Sequence, residues 1–156
     1  MKIHECMKRN VVSILATATV GEAAKVFVSR HIGLLPVVDG QGRLTGILSL
    51  RDILTLALPS FVNLVTDVDF VHDFGAVEST QPALETLAQP VTTLMRTATT
   101  VPEDCGLLRA YVLMLQRDLH DIPVVDANGM LVGVASRVDV ATAFLAGWQT
   151  GGAGKP

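Results

Sequence analysis

The chain carries one seventeen-residue phrase twice. Residues 36–52 read PVVDGQGRLTGILSLRD and residues 123–139 read PVVDANGMLVGVASRVD, with nine positions identical at a constant separation of 87 residues. This constrains the fold more than any composition could. Each copy is one supersecondary unit that cannot bury its apolar face alone, so the two must pack together. Any site is then formed twice, or at the seam between copies.

The upstream halves agree at the same separation. Val20, Ala23, Ala24, Phe27 and Val28 fall at helical spacing, and Leu107, Ala110, Tyr111, Met114 and Leu115 match them. One apolar stripe per copy predicts an amphipathic helix. Thr19 and Glu22 have the spacing of a capping box at the start of the first helix. Strands are expected at Val11–Ile14 and Ala98–Val101, at Leu34–Asp39 and Ile122–Asp126, and at Leu44–Leu48 and Leu131–Ala135. Gly40-Gln41-Gly42 and Ala127-Asn128-Gly129 supply hairpin turns. Each copy reads as β-α-β-β-α, which places the chain in the α/β (α+β) class. The expected divisions are repeat one at 1–56, a linker at 57–90, repeat two at 91–148 and a flexible tail at 149–156. A half of about 55 residues buries too little surface alone, so a pseudo-twofold pair is expected. The linker is long for a plain connection. Phe61, Val62, Leu64 and Val65 suggest a helical turn, and Ala83–Ala88 a short helix with Pro82 at its first turn.

Composition narrows the class. Apolar residues make up 49% of the chain and mean hydropathy is +0.45, ample for a core and for a sticky face besides. No stretch approaches the roughly twenty apolar residues of a membrane span, and the N-terminus lacks a signal-peptide core. Cys6 and Cys105 sit at unrelated repeat positions and read as free thiols of a reducing compartment, which points to the cytoplasm. Net charge is −3, without a Lys/Arg cluster, and aromatics are only 4%. Both speak against a nucleic-acid surface.

On the hydrophobic-Pro-Val-Val-Asp strand, the glycine turn, and above all Gly46-x-x-Ser49-x-x-Asp52 and Gly133-x-x-Ser136-x-x-Asp139, the chain resembles the cystathionine-β-synthase (CBS) domain pair, or Bateman module. The resemblance covers roughly residues 6–56 and 91–146. The last pattern looks like that family's nucleotide-binding signature, and both copies are intact.

A Ser-x-x-Asp after a strand is first of all a helix N-cap with an acid in the first turn. The glycine three residues earlier, inside a strand, marks close approach of a ligand or of another backbone. An adenine nucleotide fits such a place in parts. Asp52 or Asp139 accepts from ribose hydroxyls, while Ser49 or Ser136 and the helix-start N–H groups donate to phosphate. The base lies against apolar side chains and backbone near Leu35–Pro36 or Ile122–Pro123. The resemblance adds Ser13 and Thr100 as polar contacts to adenosine, and a basic residue just before the aspartate facing phosphate. Arg51 matches that position; the second copy has Val138 there and Arg137 one place earlier, about 100° around a helix.

Other polar groups carry bland readings. Asp67, Asp69, His72 and Asp73 lack rigid ligand spacing and read as a solvated loop rather than a cation site. His31 and His120 lie near the two pockets and read as surface residues. No nucleophile-base arrangement, Walker loop, zinc signature or nucleophile elbow is present, so a non-enzymatic module without obligatory cofactor is expected. It would bind an adenine nucleotide and signal as a homodimer to an unidentified effector. The alternative is a ligand-free assembly module.

Overall fold

The computed structural model describes residues 1–57 and 81–149. The turn expected around Phe61–Val65, the acidic run Asp67–Asp73 and the last seven residues of the tail lie outside them. The first unit comprises β1 (Ile14–Leu15), α1 (Val20–Arg30), β2 (Leu34–Val38), β3 (Leu44–Ser49) and α2 (Leu50–Thr55). A single turn, α3 (Leu84–Leu87), falls within the Ala83–Ala88 segment. The second unit repeats the first as β4 (Val101–Pro102), α4 (Leu107–Gln116), β5 (Asp121–Val125), β6 (Leu131–Ser136) and α5 (Arg137–Gln149). Each sheet has the middle strand parallel to the first and antiparallel to the third, with a bulge after Val37 and after Val124.

Local chemistry sets the boundaries. The Thr19 hydroxyl accepts from the Glu22 N–H at 3.2 Å, and the Glu22 carboxylate accepts from the Thr19 N–H at 2.8 Å, closing the expected box. Gly42 and Gly129 adopt φ of +85° and +77° at the hairpin turns, where a side chain would be strained. Asp39 and Asp126 each fasten their turn by accepting two backbone N–H groups at 2.8–3.0 Å. The first strands are shorter than expected: only Ile14 and Leu15 pair, with Val37 and Val38. Val11 and Val12 instead line a cavity, so their apolar character serves a wall rather than a ladder.

The cores are completed by exchange. Ile3 and Met7, at the N-terminus, pack into the core of the second unit with Leu107, Met114, Ile122, Val124 and Val140. Val91, Leu94 and Met95, just ahead of the second unit, pack into the first with Phe27, Leu35, Val37 and Leu48. Each segment is also stitched to its host sheet. Lys8 and Val134 exchange backbone hydrogen bonds of 2.9 and 3.0 Å, and Arg96 and Ile47 exchange two of 2.9 Å. The hairpin tips cross reciprocally as well, Leu44 N–H to the Gly129 carbonyl and Leu131 N–H to the Gly42 carbonyl. The pseudo-twofold relation is thus built from paired backbone contacts.

This explains the glycines of the repeated phrase. A Cβ on Gly46 would lie 2.9 Å from both the Arg96 carbonyl oxygen and the Met95 sulfur, and one on Gly133 would lie 2.5 Å from the Met7 sulfur. Of the two readings open for these positions, close approach of another backbone is the one realised.

Gly46→Ala should therefore destabilise the protein by about 1–3 kcal/mol, a fall in melting temperature of roughly 4–10 °C. Gly40→Ala, where an added Cβ meets nothing within 4 Å, should stay within about 0.5 kcal/mol of the parent. Urea unfolding of both variants checks the contrast.

Candidate functional site

Ser49 is the N-cap of α2, and the residue pair Ser49–Asp52 forms a capping box with a third bond. The Asp52 Oδ2 accepts from the Ser49 N–H at 2.9 Å and from the Ser49 hydroxyl at 2.7 Å, while the hydroxyl oxygen accepts from the Asp52 N–H at 3.2 Å. The second unit repeats this with Ser136 and Asp139 at 2.9, 2.7 and 3.0 Å. One carboxylate oxygen of each aspartate is thereby spent on its cap. The other, Oδ1, points the remaining acceptor capacity elsewhere.

The exchanged segments supply the cations that answer these carboxylates. The Arg96 guanidinium bonds Asp52 Oδ1 directly, whereas Lys8 stands 3.7 Å from Asp139 Oδ2. Burial pushes both carboxyls up. It is outweighed by the Ser49 and Arg96 hydrogen bonds for Asp52, and by the Ser136 bonds and Lys8 for Asp139, so both lie below the ordinary aspartate value. Both therefore stand ready as charged acceptors at neutral pH.

Asp52 opens on a cavity of about 550 Å³ at the seam. Gly33, Leu34, Ile47, Ser49 and Arg51 line it from the first unit, Arg96 from the exchanged segment, and Arg117 to Asp121 from the second. A neighbouring cavity of about 260 Å³ is walled by Lys8, Val11, Val12, His31, Pro36 and Val134, and shares Gly33, Leu34 and Asp121 with the larger one. Arg51, Arg96 and Arg117 face one hollow. Among the described residues no carboxylate pairs with Arg51 or Arg117, so the hollow can receive an anion without first breaking those contacts.

Of the residues singled out from sequence, Ser136 and Asp139 form the second cap and line neither seam cavity. Ser49, Arg51, Asp52 and Pro36 line the two cavities. Leu35, Ile122 and Pro123 are buried in the central strands, leaving only backbone to offer there, and Ser13 is exposed beside the wall made by Val11 and Val12. Thr100, half-buried just ahead of β4, corresponds to Ser13 in the second unit. Arg137 sits one place off the phosphate position, and its guanidinium donates twice to the Leu119 carbonyl at 3.0 and 2.8 Å and reaches Asp118 at 3.5 Å. It braces the loop after α4. His31 and His120, read as surface groups, are exposed yet each lines one of the cavities.

Sequence reasoning missed Arg96, Arg117, Lys8 and Asp121. Each reaches the seam from the other unit or from an exchanged segment. A signal existed for two of them: Met7-Lys8 and Met95-Arg96 are a repeated apolar-basic pair, but at a separation of 88 residues, one out of step with the rest.

Comparison with known proteins agrees with this architecture. The CBS domain pattern matches residues 3–58 and 91–146, so the chain belongs to the CBS-domain family. It is 28% identical over 144 residues to an uncharacterised 17.7 kDa protein of Acidianus ambivalens, covering 92% of this chain and 73% of that one. It is 30% identical over 145 residues to CBSX2, a chloroplastic CBS-domain protein of Arabidopsis thaliana, covering 88% and 60%. The crystal structure of CBSX2 in complex with AMP aligns with a TM-score of 0.70 at 25% identity, over 93% of this chain and 96% of that one.

Asp121 generates a pH signature opposite to that of the capping aspartates. Burial raises its carboxyl above the ordinary aspartate value and Asp139 adds to this, against the pull of His120 and Lys8. A raised carboxyl contributes stability that is complete below the unfolded pKa and lost as pH rises through the folded value; a depressed one does the reverse. Asp121→Asn should thus be more stable than the parent at neutral pH, with the gain vanishing below about pH 4. Asp52→Asn should be less stable at neutral pH, with the loss closing on acidification. Urea midpoints measured between pH 3 and 8 separate the two.

Proposed function

We propose that this CBS pair is a non-enzymatic regulatory module that binds adenine nucleotides in its seam clefts and signals through the shape of a homodimer. AMP, ADP, ATP and other adenosyl compounds are its ligand class. The observation that carries the reading is Asp52, a charged carboxylate held by its own cap at the edge of a roughly 550 Å³ hollow containing Arg51, Arg96 and Arg117. A ribose hydroxyl on the carboxylate and phosphates among the guanidiniums satisfy both halves of that hollow. The base then lies along backbone near Leu35–Pro36, with Ser13 at its edge. The second cleft uses Asp139, Ser136 and backbone near Ile122–Pro123, with Thr100 matching Ser13. The AMP complex of CBSX2 supports the ligand class.

Signalling through a homodimer is supported by what the helices leave uncovered. Val20, Ala23 and Phe27 are buried on α1, whereas Val28 is 78% exposed; on the second unit Leu108 and Trp148 are 60% and 68% exposed. Leu108, Tyr111, Ala141, Phe144, Leu145 and Trp148 border an apolar hollow of about 280 Å³. A single chain rarely leaves such a surface in water. The same face favours the second reading, an assembly module whose clefts stay empty.

A nucleotide at about 100 times its dissociation constant should stabilise the fold by roughly 2.7 kcal/mol, a melting shift on the order of 5–10 °C. Asp52→Ala or Asp139→Ala should cost about 1.5–3 kcal/mol of affinity at its own cleft. Going from adenosine to ATP should help the Asp52 cleft more, because Val138 replaces Arg51 in the other. Calorimetric titration of the two variants with adenosine, AMP and ATP checks this, and no heat with any of them would hand the case to the assembly reading. Light scattering at micromolar concentration should return a dimer mass; a clean monomer would refute the homodimer.

A further inference from the structure

Arg96 lines the hollow beside Asp52 and occupies part of the acceptor that the ribose needs. Asp52 Oδ2 already takes both the N–H and the hydroxyl of Ser49. The remaining capacity is the two lone pairs of Oδ1, and the Arg96 guanidinium takes one of them. The backbone of Arg96 is locked to Ile47 by two hydrogen bonds of 2.9 Å, so its Cα cannot leave. Its side chain is 60% exposed and lines the same hollow as Arg51 and Arg117, so the guanidinium can swing from carboxylate to cavity.

Resting on the adenine-nucleotide reading above, we propose that Arg96 is a specificity-determining gate that makes the Asp52 cleft select phosphate-bearing adenine nucleotides over adenosyl compounds without an anionic tail. The reasoning is a balance of charge. A ligand that places both ribose hydroxyls on Oδ1 takes the lone pair that Arg96 uses and so displaces the Arg96–Asp52 bond. If the ligand also brings a phosphate into the hollow, the guanidinium exchanges one anion for another and little is lost. If it brings none, the guanidinium gives up its direct Asp52 bond for a hollow where Asp118 and Asp121 already face Arg51 and Arg117, and the binding energy is reduced.

The second cleft lacks this gate. Lys8 stands 3.7 Å from Asp139, on the already capped Oδ2, and its side chain is 70% exposed. Among the described residues no hydrogen bond reaches Oδ1 of Asp139. A ribose hydroxyl on that oxygen displaces no hydrogen bond, whether or not a phosphate follows.

The gate makes a sign prediction that an ordinary phosphate contact does not. In an Asp139→Asn background, which leaves the Asp52 cleft as the one intact ribose site, adenosine and ATP are titrated calorimetrically against the parent, Arg96→Ala and Arg96→Gln. Adenosine should bind the Arg96 variants several-fold more tightly, while ATP should bind them about tenfold more weakly. The backbone bridge of Arg96 to Ile47 survives substitution, so both variants should still unfold cooperatively in urea, at a midpoint lowered modestly by loss of the Asp52 partner. If adenosine and ATP weaken together, or adenosine is unchanged, Arg96 is no gate, and the nucleotide reading still stands. If the parent binds neither ligand, both the gate and the nucleotide reading are overturned.

Discussion

Everything in this molecule depends on the exchange of two short segments. Ile3 and Met7 complete the core of the second unit, and Val91, Leu94 and Met95 complete that of the first. Ile3 and Val91 are fully buried, and each such side chain removes about 1.5–3 kcal/mol of apolar surface from water. Because each half borrows its neighbour's segment, neither sheet is finished without the other. The exchange also brings charge to the seam. The chain leaves each bridge at Lys8 or Arg96, and those two cations are the ones that meet Asp139 and Asp52.

The seam is therefore an electrostatic junction as well as a packing one. Two helix-capping carboxylates are held charged by serine hydroxyls and backbone N–H groups. The carboxyl of a third, Asp121, is pushed above the ordinary aspartate value by burial and by Asp139, and it borders both cavities. Three arginines face the larger hollow. The loop that contributes Arg117 is braced by Arg137, which bonds the Leu119 carbonyl and Asp118, and Asp118 itself adopts φ of +51°. The hollow is lined by both units and by the segment exchanged between them.

The repeated phrase made the fold legible because periodic local signals coincide with it. The helix stripes, the capping box of Thr19 and Glu22, the hairpins and the two capping aspartates are all short-range features, and the structure places each where its spacing implies, except that Val28 and Leu115 at the ends of the stripes face outward. What stayed hidden was long-range. Nothing in Met95-Arg96 says that its backbone will lie on β3 of the other unit, and the one-residue slip between the two registers hid the pairing. Gly46 and Gly133 carried that information, but an added Cβ clashes equally with a ligand or a chain, and only the fold decides which. Val11 and Val12 fit a strand by their apolar character, which alone does not separate a ladder from a cavity wall.

A crystal structure of the protein grown with ATP tests the central claim most directly. The account predicts the ribose on Asp52 Oδ1, the base against Leu35–Pro36, and the phosphates among Arg51, Arg96 and Arg117, with the Arg96 guanidinium released from Asp52. A nucleotide bound away from the seam, or one seated there with the Arg96–Asp52 pair undisturbed, would contradict it.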